Sequence, residues 1–165
     1  MSAAEPARRA AAAVRVTWAG AHRFDTGQPA GPVARLDSSG ETGQSPVDAL
    51  LSALATCSAV DVVDILEKRR TPLEDLTIDV VADRAETIPR RLTRIQLHYH
   101  IDGEGIERAH AERAVDLALT RYCSVRSSLD PDLPIAFTVT VNGEAGNLIA
   151  AGRAEGTTPT AQVPA

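Results

Sequence analysis

The sequence predicts an α+β fold, with antiparallel sheets around two main helices, on three observations. Two long stretches, "LTIDVVADRAE" and "RRLTRIQLHYHID", alternate apolar and polar side chains strictly, as half-buried strands do. Two others, Pro46 to about Arg69 and about Ile106 to Tyr122, space their apolar residues as amphipathic helices do. The elements follow in the order β-β-β-α-β-β-α-β, which keeps the helices apart from runs of strands.

The elements can be justified in turn. "VRVTWAG" alternates and reads as a strand, with "AHRFDTG" as its returning partner. Gly and Pro then punctuate a short strand near Val33–Leu36. Ser45 is a good N-cap, Pro46 suits the first helical position, and Asp48 sits where a capping box wants an acid. Lys68, Arg69 and Arg70 favour the other end of that helix, and Pro72 stops it. The two alternating stretches are separated by "TIPR" and read as a long hairpin. Ala109, Ala114, Leu117 and Ala118 share one side of the second helix, and "PDLPIAFTVTVNG" supplies a last strand. Residues 1–12 and 146–165 read as disordered ends, around one domain at 13–145.

Composition excludes several classes. The chain has 165 residues, enough for a core without staples, but aromatics make up only 3%, so Ala, Val, Leu and Ile must build it. A net charge of -5 argues against general nucleic-acid binding, and "EKRR" and Glu74/Asp75 read as solvated surface. No uninterrupted apolar run approaches a membrane span, and no secretory leader is visible, so a cytoplasmic protein without a membrane partner is expected. His98 and His100 share one strand face but lack a third metal ligand in register. "GEGIE" lacks the lysine and parallel-strand context of a phosphate loop. No metal and no organic cofactor is expected.

The two cysteines carry the functional question. At 100° per residue, Val47, Leu50, Leu51, Leu54, Ser58, Val62 and Ile65 form a buried stripe, and Cys57 falls on its flank. A thiol there can be a packed hydrophobe or a reacting group, and helical geometry leaves both readings open. Asp61 and Asp64 lie on the Cys57 side and would suppress a thiolate, so a reactive Cys57 needs a compensating cation. Cys123 ends the second helix, where the dipole disfavours a thiolate; that suits a resolving thiol better than an attacking one, or a thiol that simply packs.

A Pro-started helix carrying "SPVDALLSALATCSAVDVVDIL", a long hairpin, and a helix ending "LALTRYCSV" resemble the OsmC/Ohr family of thiol-dependent hydroperoxide reductases. The resemblance runs from about Val14 to Gly143. It implies an intertwined homodimer in which Cys57 attacks a hydroperoxide and Cys123 resolves the sulfenic acid as a disulfide, which an external dithiol reduces. It also implies an activating arginine from the N-terminal strands, for which Arg23 is the first candidate and Arg15 and Arg35 compete. The hydroperoxide-specialised branch has a Glu after the helix-starting Pro. This chain has Val47 there, with Asp48 one residue later. That departure keeps a rival in view: a dimer of the same fold that binds a small apolar ligand or a partner with little peroxidase activity.

Overall fold

The computed structural model describes residues 11–152, so both terminal segments read as disordered lie wholly or largely outside it. The chain divides into two compact units, Met1–Leu50 and Leu51–Ala165, and the expected domain over 13–145 spans both.

In the first unit, β1 (Arg15–Trp18), β2 (Arg23–Gly27) and β3 (Val33–Asp37) form an antiparallel sheet in that order. Its turn at Gly20–Ala21 needs positive φ (93° and 49°), which glycine supplies freely and alanine only under local constraint. At the end of β3 the Asp37 carboxylate is buried and accepts hydrogen bonds from the backbone N–H and hydroxyl of both Ser39 and Thr42, at 2.7–3.1 Å. Those hydroxyls and N–H groups hold its pKa far below the usual carboxylate range. The chain then enters α1 (Pro46–Lys68) through the expected capping box. Asp48 N–H donates to Ser45 Oγ at 3.2 Å, while Ser45 N–H and Oγ–H return bonds to the Asp48 carboxylate at 3.3 and 2.7 Å.

In the second unit, β4 (Asp75–Arg84) and β5 (Leu92–Asp102) form the expected antiparallel hairpin. The chain next forms α2 (Arg108–Leu117), a π-helical turn at Ala118–Tyr122, a short helix α3 (Ser124–Ser128) and β6 (Ile135–Val141). Two-residue strands β7 (Glu144–Ala145) and β8 (Ile149–Ala150) complete a sheet ordered β4-β5-β6-β7, with β8 also on β6. Three expectations need correction. The sheet is mixed rather than antiparallel, because β5 and β6 run parallel and the connection carrying α2 and α3 crosses between them. The second helix stops at Leu117 and gives way to the π turn and α3. The presumed tail from residue 146 begins with ordered structure, since β8 pairs with Ala136 and Phe137.

The core of this unit is built from Leu54, Val62, Leu66, Ile95, Leu97, Tyr99, Phe137 and Val139, all fully buried, with Leu119 and Val115 from the crossover. The buried arc of α1 is rotated from the one expected: Leu54, Ala55, Ser58, Val62 and Leu66 are covered, whereas Leu50 is 39% exposed. Contrary to the sequence reading, α1 is long and apolar enough to cross a membrane by length and composition. One such helix is weak grounds for a span, because the core helix of a globular fold has the same make-up. Here its Ser58 anchors to the sheet, with Ser58 Oγ 2.7 Å from Tyr99 Oη. When the single Ser58 proton serves the carbonyl of Leu54 or Ala55, at 3.1 and 2.9 Å, Tyr99 donates the shared bond.

That asymmetry gives a prediction. Tyr99→Phe removes one hydrogen bond and costs about 1 kcal/mol, because Ser58 keeps its backbone acceptors. Ser58→Ala strands a buried Tyr99 hydroxyl and costs roughly 1–3 kcal/mol. Urea unfolding of the two variants, side by side, is expected to rank Ser58→Ala as the more damaging.

Candidate active site

Cys57 is carried by the fourth turn of α1, half-buried and packed at the edge of the core. Cys123 leaves the π turn in an extended conformation, is buried, and serves as N-cap of α3, where its sulfur accepts the Arg126 N–H at 3.3 Å. The π turn closes on Cys123 itself, whose N–H bonds Ala118 O at 2.8 Å. The Cys123 thiol donates to the carbonyl of Leu54, one helical turn before Cys57, at 4.0 Å, which places the second sulfur beside the helix that carries the first. Both cysteines are free thiols.

Three residues that follow one another in sequence therefore surround the Cys57 sulfur. Ser124 Oγ lies 3.8 Å from it, and the backbone N–H groups of Ser124 and Val125 and the Cys123 thiol favour its charged form. Partial burial works against the Cys57 thiolate, but these donors, led by Val125 N–H and Cys123, outweigh it and lower the pKa below the ordinary thiol value. Burial pushes Cys123 the other way, up to about 11; its cap bond to Arg126 opposes this, and the adjacent Cys57 reinforces it. The sulfur that is half-exposed is the more acidic one, and the buried neighbour keeps its proton.

The carboxylates on α1 do not dominate this balance. Asp64 lies 4.0 Å from Lys68. The Asp61 pKa is raised, first by burial and then by Asp64, so Asp61 holds its charge less firmly than an open carboxylate. The donors that offset them are neutral and come from the 123–125 turn, a contribution that sequence reasoning missed. The visible signal was a serine directly after the second cysteine, in "YCSV".

The candidate arginines all belong to the first unit. Arg35 is engaged by Asp25 through a bidentate ion pair that holds the Asp25 carboxyl below its usual range. Arg15 reaches the Pro29 carbonyl at 3.5 Å. Arg23 bonds the Gly20 carbonyl at 3.4 Å and lines a cleft of about 350 Å³ with Ala21, His22, Asp37, Ser38 and Glu41. Val47 is half-buried, and the Asp48 carboxylate is taken up by Ser45. His98 pairs with Thr138 at 2.9 Å and His100 with Asp79 at 3.2 Å. Among the described residues no three His, Cys, Asp or Glu side chains gather to hold a metal ion.

Comparison with known proteins agrees with the architecture. A family model, OsmC-like protein, matches residues 38–138. Protein YhfA of Escherichia coli (strain K12) is 35% identical over 128 residues, covering 77% of this chain and 96% of YhfA. A hypothetical protein from Aquifex aeolicus VF5, 27% identical, superposes with a TM-score of 0.73 over 81% of this chain and 98% of its own. An organic hydroperoxide resistance protein OsmC from Legionella pneumophila shares the fold at 15% identity, with a TM-score of 0.53 over 81% of this chain and 98% of its own.

The split between the two thiols predicts selective alkylation. At neutral pH iodoacetamide modifies Cys57 and spares Cys123, because the thiolate is the nucleophile and only Cys57 has a lowered pKa. Raising the pH toward about 11 brings Cys123 into reaction. Peptide mass mapping across pH reads both sites; equal labelling at neutral pH contradicts the assignment.

Proposed function

This chain belongs to the OsmC-like protein family, and from that premise we propose that it reduces organic hydroperoxides through Cys57 and Cys123. The observation that carries the reading is that two free thiols meet on α1 and the turn at Ser124, the half-exposed one favoured as the thiolate and the buried one as the thiol. The name of the Legionella pneumophila relative, an organic hydroperoxide resistance protein, supports the substrate class.

The Cys57 thiolate attacks one peroxide oxygen. An S–O bond forms as the O–O bond breaks, and the displaced alkoxide takes a proton from water to leave as the alcohol. Cys57 is now a sulfenic acid, and the peroxide has gained the two electrons the sulfur lost. The Cys123 sulfur then attacks the Cys57 sulfur, forming S–S, and the hydroxyl departs with the Cys123 proton as water. An external dithiol returns the disulfide to two thiols. Free thiols in this role suit a reducing, cytoplasmic setting. Each of these steps uses only side chains, water and the dithiol.

Arg23 is the arginine we assign to the reaction, to bind the peroxide. Its rival Arg35 is neutralised by Asp25. We further assign a homodimer as the working unit. Only 28% of the most apolar window of α1 is buried within one chain, and Val60 on that helix is 62% exposed. Covering such a face against a second copy removes apolar area from water.

In a coupled assay with an alkyl hydroperoxide and a dithiol, Cys57→Ser is expected to abolish turnover. Cys123→Ser is expected to support one turnover and to leave a sulfenic acid that dimedone traps. Arg23→Ala raises KM, whereas Arg35→Ala changes it little. A wild-type protein that keeps both thiols in excess peroxide rules the reaction out and favours the ligand-binding rival. Sedimentation velocity is expected to report a dimer, and a monomer at micromolar concentration overturns that assignment.

A further inference from the structure

We propose that the Ser124 hydroxyl is a catalytic group of this site, donating a hydrogen bond that holds the Cys57 sulfur in its charged, attacking form. The inference rests on Cys57 being the attacking thiol of the reaction above. It concerns a residue that neither the capping of α3 nor the packing of the core requires.

Ser124 Oγ lies 3.8 Å from Cys57 Sγ, within reach of a hydrogen bond to sulfur. While Cys57 is a thiol, either atom can donate. Once it is a thiolate, only the hydroxyl has a proton to give, so the bond favours the charged state. Serine at the start of a helix ordinarily caps it, but here the Cys123 sulfur already accepts the Arg126 N–H as the α3 cap. The Ser124 hydroxyl is thus released from capping and turned toward α1.

Its position is fixed by the backbone on both sides. The Ser124 carbonyl accepts from Ser128 Oγ at 2.8 Å, and the Cys123 carbonyl accepts from Ser127 Oγ at 3.2 Å. The Ser124 N–H also favours the charged form of the same sulfur. Ser124 is exposed and Cys57 half-exposed, so both groups can be reached from solvent.

The test reads the sulfur directly. The iodoacetamide reaction of Cys57 is followed across pH in wild type, Ser124→Ala and Ser124→Thr, with thermal unfolding as the check that each variant is folded. Ser124→Ala is expected to move the midpoint upward by about half to one pH unit, and to slow alkylation at neutral pH roughly threefold to tenfold. Ser124→Thr, which keeps the hydroxyl, is expected to restore both. A folded Ser124→Ala with an unchanged midpoint overturns the proposal, as does a folded Ser124→Thr that behaves like alanine. The reaction and the inference fail separately. Unchanged alkylation in Ser124→Ala beside normal hydroperoxide turnover sinks only the role of Ser124. A shifted midpoint in a chain that consumes no hydroperoxide sinks only the reaction.

Discussion

The proposed chemistry depends on one contact between residues 67 positions apart: the Cys57 sulfur on α1 and the Ser124 hydroxyl in the turn at Cys123–Val125. A thiolate at the edge of an apolar core is costly, because burial disfavours its charge. The turn offsets that cost with neutral donors, aimed by the start of α3. The sheet explains why the turn arrives there. Strands β5 and β6 are parallel neighbours, and parallel strands cannot be joined by a tight hairpin. The connection must cross the sheet, and it carries α2, the π turn and α3 past the face on which Leu54, Val62 and Leu66 of α1 are buried in a shared core. The π turn, an irregularity that often marks functional segments, ends directly at Cys123.

Much of the fold was legible because periodicity reports which face is buried. The β4–β5 hairpin shows in strict alternation, and its buried positions Ile95, Leu97, Tyr99 and Ile101 are those the pattern selects. The start of α1 was legible for a local reason too, since the Ser45–Asp48 capping box involves residues three apart. Pairing direction was not legible. Nothing in "PDLPIAFTVTVNG" distinguishes a strand that runs parallel to β5 from one that returns antiparallel, because alternation is the same in both. The π turn was equally hidden, since Ala118–Tyr122 continues the helical spacing of α2 and differs only in which carbonyl each N–H reaches. β7 and β8 are two residues each, too short to show a period.

The two sulfurs of the candidate site were visible in the sequence, but the groups gathered around Cys57 were not. Sequence spacing located Asp61 and Asp64 on the Cys57 side, and two carboxylates demand compensation. The cations that a sequence displays are side chains such as arginine. The donors found around Cys57 are two backbone N–H groups, a hydroxyl and a thiol. A backbone N–H belongs to every non-proline residue, so its aim is a property of the fold that no letter encodes. The serine was visible, yet its partner lies on another helix.

The opposed acidities of the two sulfurs also order the proposed reaction in time. Cys123 is held protonated by burial and, beyond that, by its neighbour, since the Cys57 charge and the hydrogen bond between them both raise its pKa. A protonated Cys123 is a poor competitor for peroxide, so the first attack falls to Cys57. Oxidation converts Cys57 from an anion into a neutral sulfenic acid. The charge that held the Cys123 proton is then gone, while the Arg126 N–H that favours its thiolate stays in place. Cys123 becomes more acidic at the moment its nucleophilicity is needed. In this arrangement the first step of the reaction supplies the activation for the second.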